Sequence, residues 1–337
     1  MIWMDNARIG AIFAVIFLHM SAEVVVGNDI GTGYWWFGNL YDSLVRWCVP
    51  IFVMISGALL LDPNKKEDLA QFYKKRLSRI LVPLLFWSAF YIMWAILKGQ
   101  LKGDAPSGIE LATRLLSGKP HAHLWFLYMI LGLYVFTPFF RKVVAYSSDR
   151  ELGLLVAFLF VISAANSVYD GVYPNSDPGL FINLFPRYIP YFIMGHIVRH
   201  TLIKPSNRLL FSIFVFSFLA TMTGCYYISM QRGLNAGLYF YDYQSITVIP
   251  MSLSLIFLLK QWESPMLSED ITREISSLTL GAYLIHPTIL PVLRYTGLMT
   301  TTFHPSVSVP VVSFFVFAVS LIAAWVIRQV PFIKRIV

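Results

Sequence analysis

The chain has 337 residues, of which 57% are hydrophobic, 16% aromatic and only 13% charged. A soluble domain carries about a quarter charged residues, so this composition excludes a water-soluble globular protein and makes a lipid bilayer the natural solvent. The net charge of +8 does not point to nucleic acid, because the basic residues sit in short loops between apolar runs, as in a membrane protein that obeys the positive-inside bias.

Ten apolar segments are predicted in chain order, each near the about 20 residues a spanning helix needs. They lie at 8–26, 38–61, 80–97, 123–140, 151–168, 186–202, 208–229, 243–260, 276–296 and 307–327. The runs are continuous and not alternating, which excludes a β-barrel. The expected fold is an all-α polytopic membrane protein of about ten transmembrane helices, forming a single domain over 1–337. The first run is long for a signal peptide and shows no small-residue cleavage site, so it is taken as the first span.

Ten spans return both termini to the same side. Counting Lys and Arg there gives six in 62–79, three in 141–150, three in 199–208, two in 260–273 and four at the termini, eighteen of the 26 in all. Both termini are therefore expected in the cytoplasm. The loops of the other side, 27–37, 98–122, 169–185, 230–242 and 297–306, are rich in Gly, Pro, Asn, Asp and aromatics. Trp35, Trp36, Tyr239 and Tyr241 suit an interfacial belt. Cys48 and Cys225 fall inside apolar runs and are expected to be unpaired.

Ionisable side chains within a span are costly and are functional candidates for that reason. The first span reads DNARIGAIFAVIFLHMSAEVVV. Arg8 and His19 are eleven residues apart, which returns to within about 20° of one helix face. Glu23 lies one turn beyond His19 on that face. The stripe rises about 16 Å from Arg8 to His19, placing the imidazole near the bilayer midplane. Such an imidazole suits a general base, since burial favours the neutral form that accepts a proton, and Glu23 is positioned to orient it. Packing against a neighbouring helix is the plainer alternative for His19.

Arg46 lies within the second span; it either snorkels to the interface, binds a substrate or balances Glu23. His123 and Trp125 open the fourth span at its outer end, where Trp125 serves as a belt anchor or as a platform for a sugar. His286 is expected about 15 Å into the ninth span, near the depth of His19, followed by Pro287, which frees a backbone carbonyl. Ser56 and Gly57 are read as a site of close helix contact. The remaining histidines, His121, His196, His200 and His304, show no metal-binding spacing, and no metal is expected.

The Arg8-to-His19 spacing resembles the first-span signature of the acyltransferase family three membrane proteins. Four further stretches resemble that family in order: VPIFVMISGALLL (49–61), the basic FYKKRLSRILVPLLFW (72–87), HLWFLYMILGLYVFTPFFRK (123–142) and LTLGAYLIHP (278–287). Within the family the chain is most similar to surface-polysaccharide O-acetyltransferases, those acting on enterobacterial common antigen among them.

The resemblance implies acetyl-CoA as donor, a sugar hydroxyl of a polysaccharide or lipid-linked glycan as acceptor, and a bacterial inner membrane surrounded by its lipids. Lys74, Lys75, Arg76 and Arg79, joined by Arg8, form a basic cluster suited to the phosphates of CoA; topology alone also accounts for the cluster. His19 is then the expected base, Glu23 its partner, and Arg46, His123, Trp125 and His286 the acceptor-binding set. A membrane exporter of a glycan or small molecule is the alternative function. A homo-oligomer is compatible with the sequence.

Overall fold

A computed structural model describes residues 1–64, 67–172, 184–297 and 303–337. Lys65 and Lys66 of the basic loop, and most of the predicted outer loop 169–185, lie outside the described residues. The chain folds as α1 (Ile2–Gly27), α2 (Gly33–Val45), α3 (Cys48–Leu60), α4 (Leu69–Lys102), α5 (Gly108–Leu116), α6 (Trp125–Tyr146) and α7 (Asp149–Val172), then α8 (Ile189–His200), α9 (Asn207–Arg232), α10 (Leu234–Gly237), α11 (Val248–Lys260), α12 (Glu269–Thr296) and α13 (Pro305–Gln329). No strand occurs among the described residues.

Helix starts are written in the sequence as side-chain caps. Asp68, Ser206 and Ser268 accept from the first-turn amides of α4, α9 and α12. Ser107 and Glu110 form a reciprocal capping box on α5. At the opposite helix ends, cations take the orphan carbonyls. Arg199 Nη1 donates to Ala58 O at 2.7 Å and Arg141 Nε to Leu60 O at 2.6 Å, both at the end of α3.

Each of the ten predicted segments is helical, and among the described residues eight spans are long and apolar enough to cross a membrane, with α2 and α3 counted as one. The sixth and eighth segments differ from expectation. They form α8 and α11, of 12 and 13 residues, which rise only about 18–20 Å against a hydrocarbon core of about 30 Å. Pro186 and Pro190 delay the start of α8. Before α11 the chain runs through an irregular segment in which backbone amides find local side-chain acceptors: Gln244 N donates to Asp242 Oδ1 at 2.8 Å, and Val248 N to Ser245 Oγ at 3.2 Å. Non-helical backbone at such depth is tolerated where protein surrounds it.

α1 is the axial helix. It packs against α2, α3, α11, α12 and α13, and its buried residues are spread around its whole circumference. Helices α7, α9 and α13 lie outermost. They expose large apolar side chains such as Phe158, Phe216 and Phe314, as a lipid-facing surface requires. Two residues expected in an interfacial belt are instead core: Trp35 and Tyr241 are buried with Val25 and Cys225, and Trp36 packs against this second cluster. Loop-end aromatics have the same sequence signature whether they face the headgroups or fold inward. Cys48 and Cys225 are free and buried.

The close contact read from Ser56 and Gly57 is a crossing of α3 and α8. A Cβ added at Gly57 would fall on the Phe192 carbonyl oxygen, and one at Gly195 on that of Met54. Only hydrogen fits at either position. Gly57→Ala is expected to cost about 1–3 kcal/mol or more through forced separation of the helices, whereas Gly10→Ala, which meets open space, is expected to leave the melting temperature in detergent unchanged or slightly raised. Equal melting of the two variants would contradict the crossing.

Candidate active site

The site is organised by the pairing of α1 with α12. At one end Ser276 Oγ donates to Asp5 Oδ1 at 2.7 Å. At the other Arg294 Nη2 lies 2.5 Å from Glu23 Oε1. Both ties have the same sequence offset, 271 residues, so the two helices run parallel and in constant register. The ties are 18 residues apart on each helix, about 27 Å along the axis, which is close to one hydrocarbon thickness. Arg328 also contacts Ser277 and Glu274 near the start of α12, so the end of α13 sits beside the start of α1.

Between the ties the two helices bring His19 and His286 together, with ring centroids 5.2 Å apart. The depth match read from the sequence is therefore a contact. His286 is buried, and its Nδ1 donates to the Tyr283 carbonyl at 2.7 Å. That carbonyl is the one Pro287 deprives of its helical N–H partner. The bond fixes the ring's tautomer, leaving Nε2 as an acceptor; this atom is buried and without a hydrogen-bond partner. His19 is partly exposed and makes no hydrogen bond among the described residues, so its ring is not committed to a hydrogen-bond partner.

Two more imidazoles extend the cluster. His123 lies 5.5 Å from His286 by ring centroids. Its carbonyl accepts from Tyr283 Oη, and its Nδ1 is 2.8 Å from His121 Nδ1. His123 is buried, deeper than its expected place at the outer surface, because residues 118–124 fold inward before α6 begins. His121, in that loop, stacks on Tyr91. Burial pushes His121 below its usual pKa, and Lys98 and Arg114 act in the same direction.

A cavity opens on each side of this cluster. The first, about 430 Å³, is at the end of the molecule that bears both termini and is lined by Arg8, Arg76, Arg79, Ser56, Tyr134 and Tyr283 among others. The second, about 840 Å³, is at the opposite end, lined by Tyr91, Lys98, His121, Pro287 and Arg294 among others. Tyr283 borders the first cavity and Pro287 the second, so His286 stands between them, with His19 against it.

Three of the five cations expected around the donor thus share a cavity. Lys74 and Lys75 do not line it; both are exposed, and Lys75 turns to Glu67 at 3.6 Å. Arg76 Nε is buried without a partner, while Arg8 also reaches Asp5 at 3.5 Å. Glu23 is drawn to Arg294 rather than to His19, because a guanidinium offers it a charge-assisted bond; its role is that of a tie between helices. Trp125 lines neither cavity; it stacks with Tyr243 and lies against Tyr188 at a tilt.

Arg46 neither snorkels nor balances Glu23. It sits at the break between α2 and α3, pairs with the fully buried Asp42, donates to Tyr241 O at 3.1 Å and lies over the Tyr241 ring at 4.1 Å. The sequence reading missed Asp42, although its position four residues before Arg46 is the spacing of a helical ion pair. Among the described residues no group of three His, Cys, Asp or Glu is arranged to hold a metal ion.

The Pro287–His286 arrangement makes a double-variant prediction. His286→Ala should destabilise by about 1–3 kcal/mol by stranding the Tyr283 carbonyl. In a Pro287→Ala background, where the backbone N–H returns, the same substitution should cost clearly less. Additive losses in detergent melts would show that the ring does not cap that carbonyl.

No curated protein and no solved structure matches. One family model, described as an acyltransferase domain (Acyl_transf_3), matches residues 1–329. With its helices long and apolar enough to cross a bilayer many times, the chain belongs to the acyltransferase family three and is a multi-pass membrane acyltransferase.

Proposed function

We propose that this acyltransferase moves an acetyl group from cytoplasmic acetyl-CoA to a sugar hydroxyl of a cell-surface polysaccharide or its lipid-linked precursor, in a bacterial inner membrane, with His19 as general base. The observation that carries this reading is the position of His19. It is a partly exposed imidazole without a hydrogen-bond partner on the axial helix, against the buried His286, whose neighbours Tyr283 and Pro287 each line one of the two cavities.

The end bearing the termini is assigned to the cytoplasm by its excess of Lys and Arg. Arg8, Arg76 and Arg79 there offer planar, always-charged donors suited to the phosphates of CoA. Lys74 and Lys75, outside the cavity, add to the field that draws the nucleotide in. The pantetheine arm follows α1 from Arg8 toward His19, about 16 Å along the helix.

His19 takes the proton of the acceptor hydroxyl as its oxygen attacks the thioester carbonyl carbon. The new C–O bond forms, the C–S bond breaks, and the proton passes from the imidazolium to the departing thiolate, giving the acetyl ester and free CoA. His286 serves as the positioning residue expected of Glu23. Its Nδ1 bond to the Tyr283 carbonyl holds the ring in one tautomer beside the His19 ring.

His19→Ala should insert and fold, retain donor binding, and lose about 10²- to 10⁴-fold in transfer rate. Radiolabelled acetyl-CoA given to inverted membrane vesicles, followed by analysis of the labelled glycan, measures the rate. Raised melting temperature with acetyl-CoA, abolished in Arg8→Ala and Arg79→Ala, measures donor binding. Normal glycan labelling in His19→Ala removes the assigned base, and indifference of the wild-type protein to every CoA thioester removes the donor.

A further inference from the structure

The larger cavity is unusual in its charge. Eight Lys and Arg residues lie outside the cytoplasmic set counted in the sequence. Five of these, Lys98, Lys102, Arg114, Lys119 and Arg294, line this single cavity. They come from three separated parts of the chain: the end of α4, the α5 region and the end of α12. The positive-inside bias acts against cations on this side, and gathering like charges around one space raises the energy of the fold. Topology therefore does not account for the cluster.

The carboxylates nearby do not neutralise it. Two acidic residues, Asp104 and Glu110, line the cavity. Glu110 Oε2 is occupied by the α5 capping box, accepting from Ser107 N at 2.8 Å. Arg294 is taken by Glu23. Among the described residues, Lys98, Lys102, Arg114 and Lys119 have no carboxylate partner at ion-pair distance. The same wall carries Phe90, Tyr91 and Trp94, with Trp94 45% exposed, so flat apolar faces stand beside the cations. Aromatic faces with a few convergent polar groups are the usual furniture of a binding pocket, and here five of the seven charged lining groups are cations.

We infer that this cavity is the acceptor site and that the acceptor is an anionic glycan, carrying phosphate or carboxylate oxygens that Lys98, Lys102, Arg114 and Lys119 bind while a sugar ring rests on the Trp94 wall. The inference deepens the transferase reading above and rests on it for the identity of the reaction. The floor of the cavity is His121 and Pro287, next to His123 and His286, so a sugar held there presents its hydroxyl toward the histidine cluster. A neutral glycan would leave four cations unanswered.

The test uses the purified full-length protein in detergent and three probes: a glucuronic acid trisaccharide, farnesyl diphosphate and maltotriose. At least one anionic probe should bind and raise the melting temperature, in addition to the rise given by acetyl-CoA, and maltotriose should not. Whichever anionic probe binds names the source of the charge, a carboxylated sugar or a lipid diphosphate. Lys98→Ala/Lys119→Ala and Arg114→Ala should each weaken that binding at least tenfold and flatten its salt dependence, with the acetyl-CoA response retained. Binding of maltotriose equal to that of the anions, failure of both anionic probes, unchanged affinity in the variants, or displacement of the anion by CoA would overturn the inference. Anion binding that survives in a protein blind to acetyl-CoA would support the cavity while striking the transferase reading alone.

Discussion

Asp5 with Ser276, and Glu23 with Arg294, hold α1 and α12 in parallel at one fixed register, and the rest of the molecule is arranged around that constraint. Sliding one helix past the other by a turn would break both ties at once. The ties lie about one membrane thickness apart, so they fix both the rotation and the height of each helix. His19 and His286 meet because of this register. A contact between two single side chains at the midplane would otherwise be at the mercy of every small shift in helix packing.

Placing α1 on the axis has a cost and a use. An axial helix must satisfy neighbours on every side, which explains why α1 buries residues all round and why its polar groups face specific partners. The use is access from two directions. Each cavity is bounded by one end of the α1–α12 pair. The charged groups divide accordingly: arginines of α1 and α4 at one end, and the cations of α4, α5, the following loop and α12 at the other. The Asp42–Arg46 pair stays apart from both and braces the joint between α2 and α3 with Tyr241.

Much of the fold was legible because hydropathy needs no tertiary information. All ten apolar runs became helices, and the stripe of Arg8, His19 and Glu23 could be read from the helical period alone, as could the depth of His286. What failed to show depended on partners far away in sequence. Glu23 meets a residue 271 positions on, so its local neighbour His19 was the natural but incorrect guess. The shortness of α8 and α11 reflects irregular segments that are stable only inside protein. Trp35 and Tyr241 were indistinguishable from belt residues until their neighbours were in place. Lys98, Arg114 and Lys119 looked like scattered loop charges, since only the turn after Lys102, with Gly103 at a φ of 72°, folds α5 back over the cavity.

Pro287 shows how a membrane-buried site can orient an imidazole without adding charge. In water-soluble enzymes a buried aspartate often holds an imidazole in one tautomer. Here a residue that cannot donate a backbone hydrogen leaves the Tyr283 carbonyl open, and the neighbouring ring fills the gap. The instruction for which nitrogen bears hydrogen is thus carried by the covalent structure of the main chain. It is neutral at every pH, indifferent to salt, and travels with the histidine as an inseparable dipeptide.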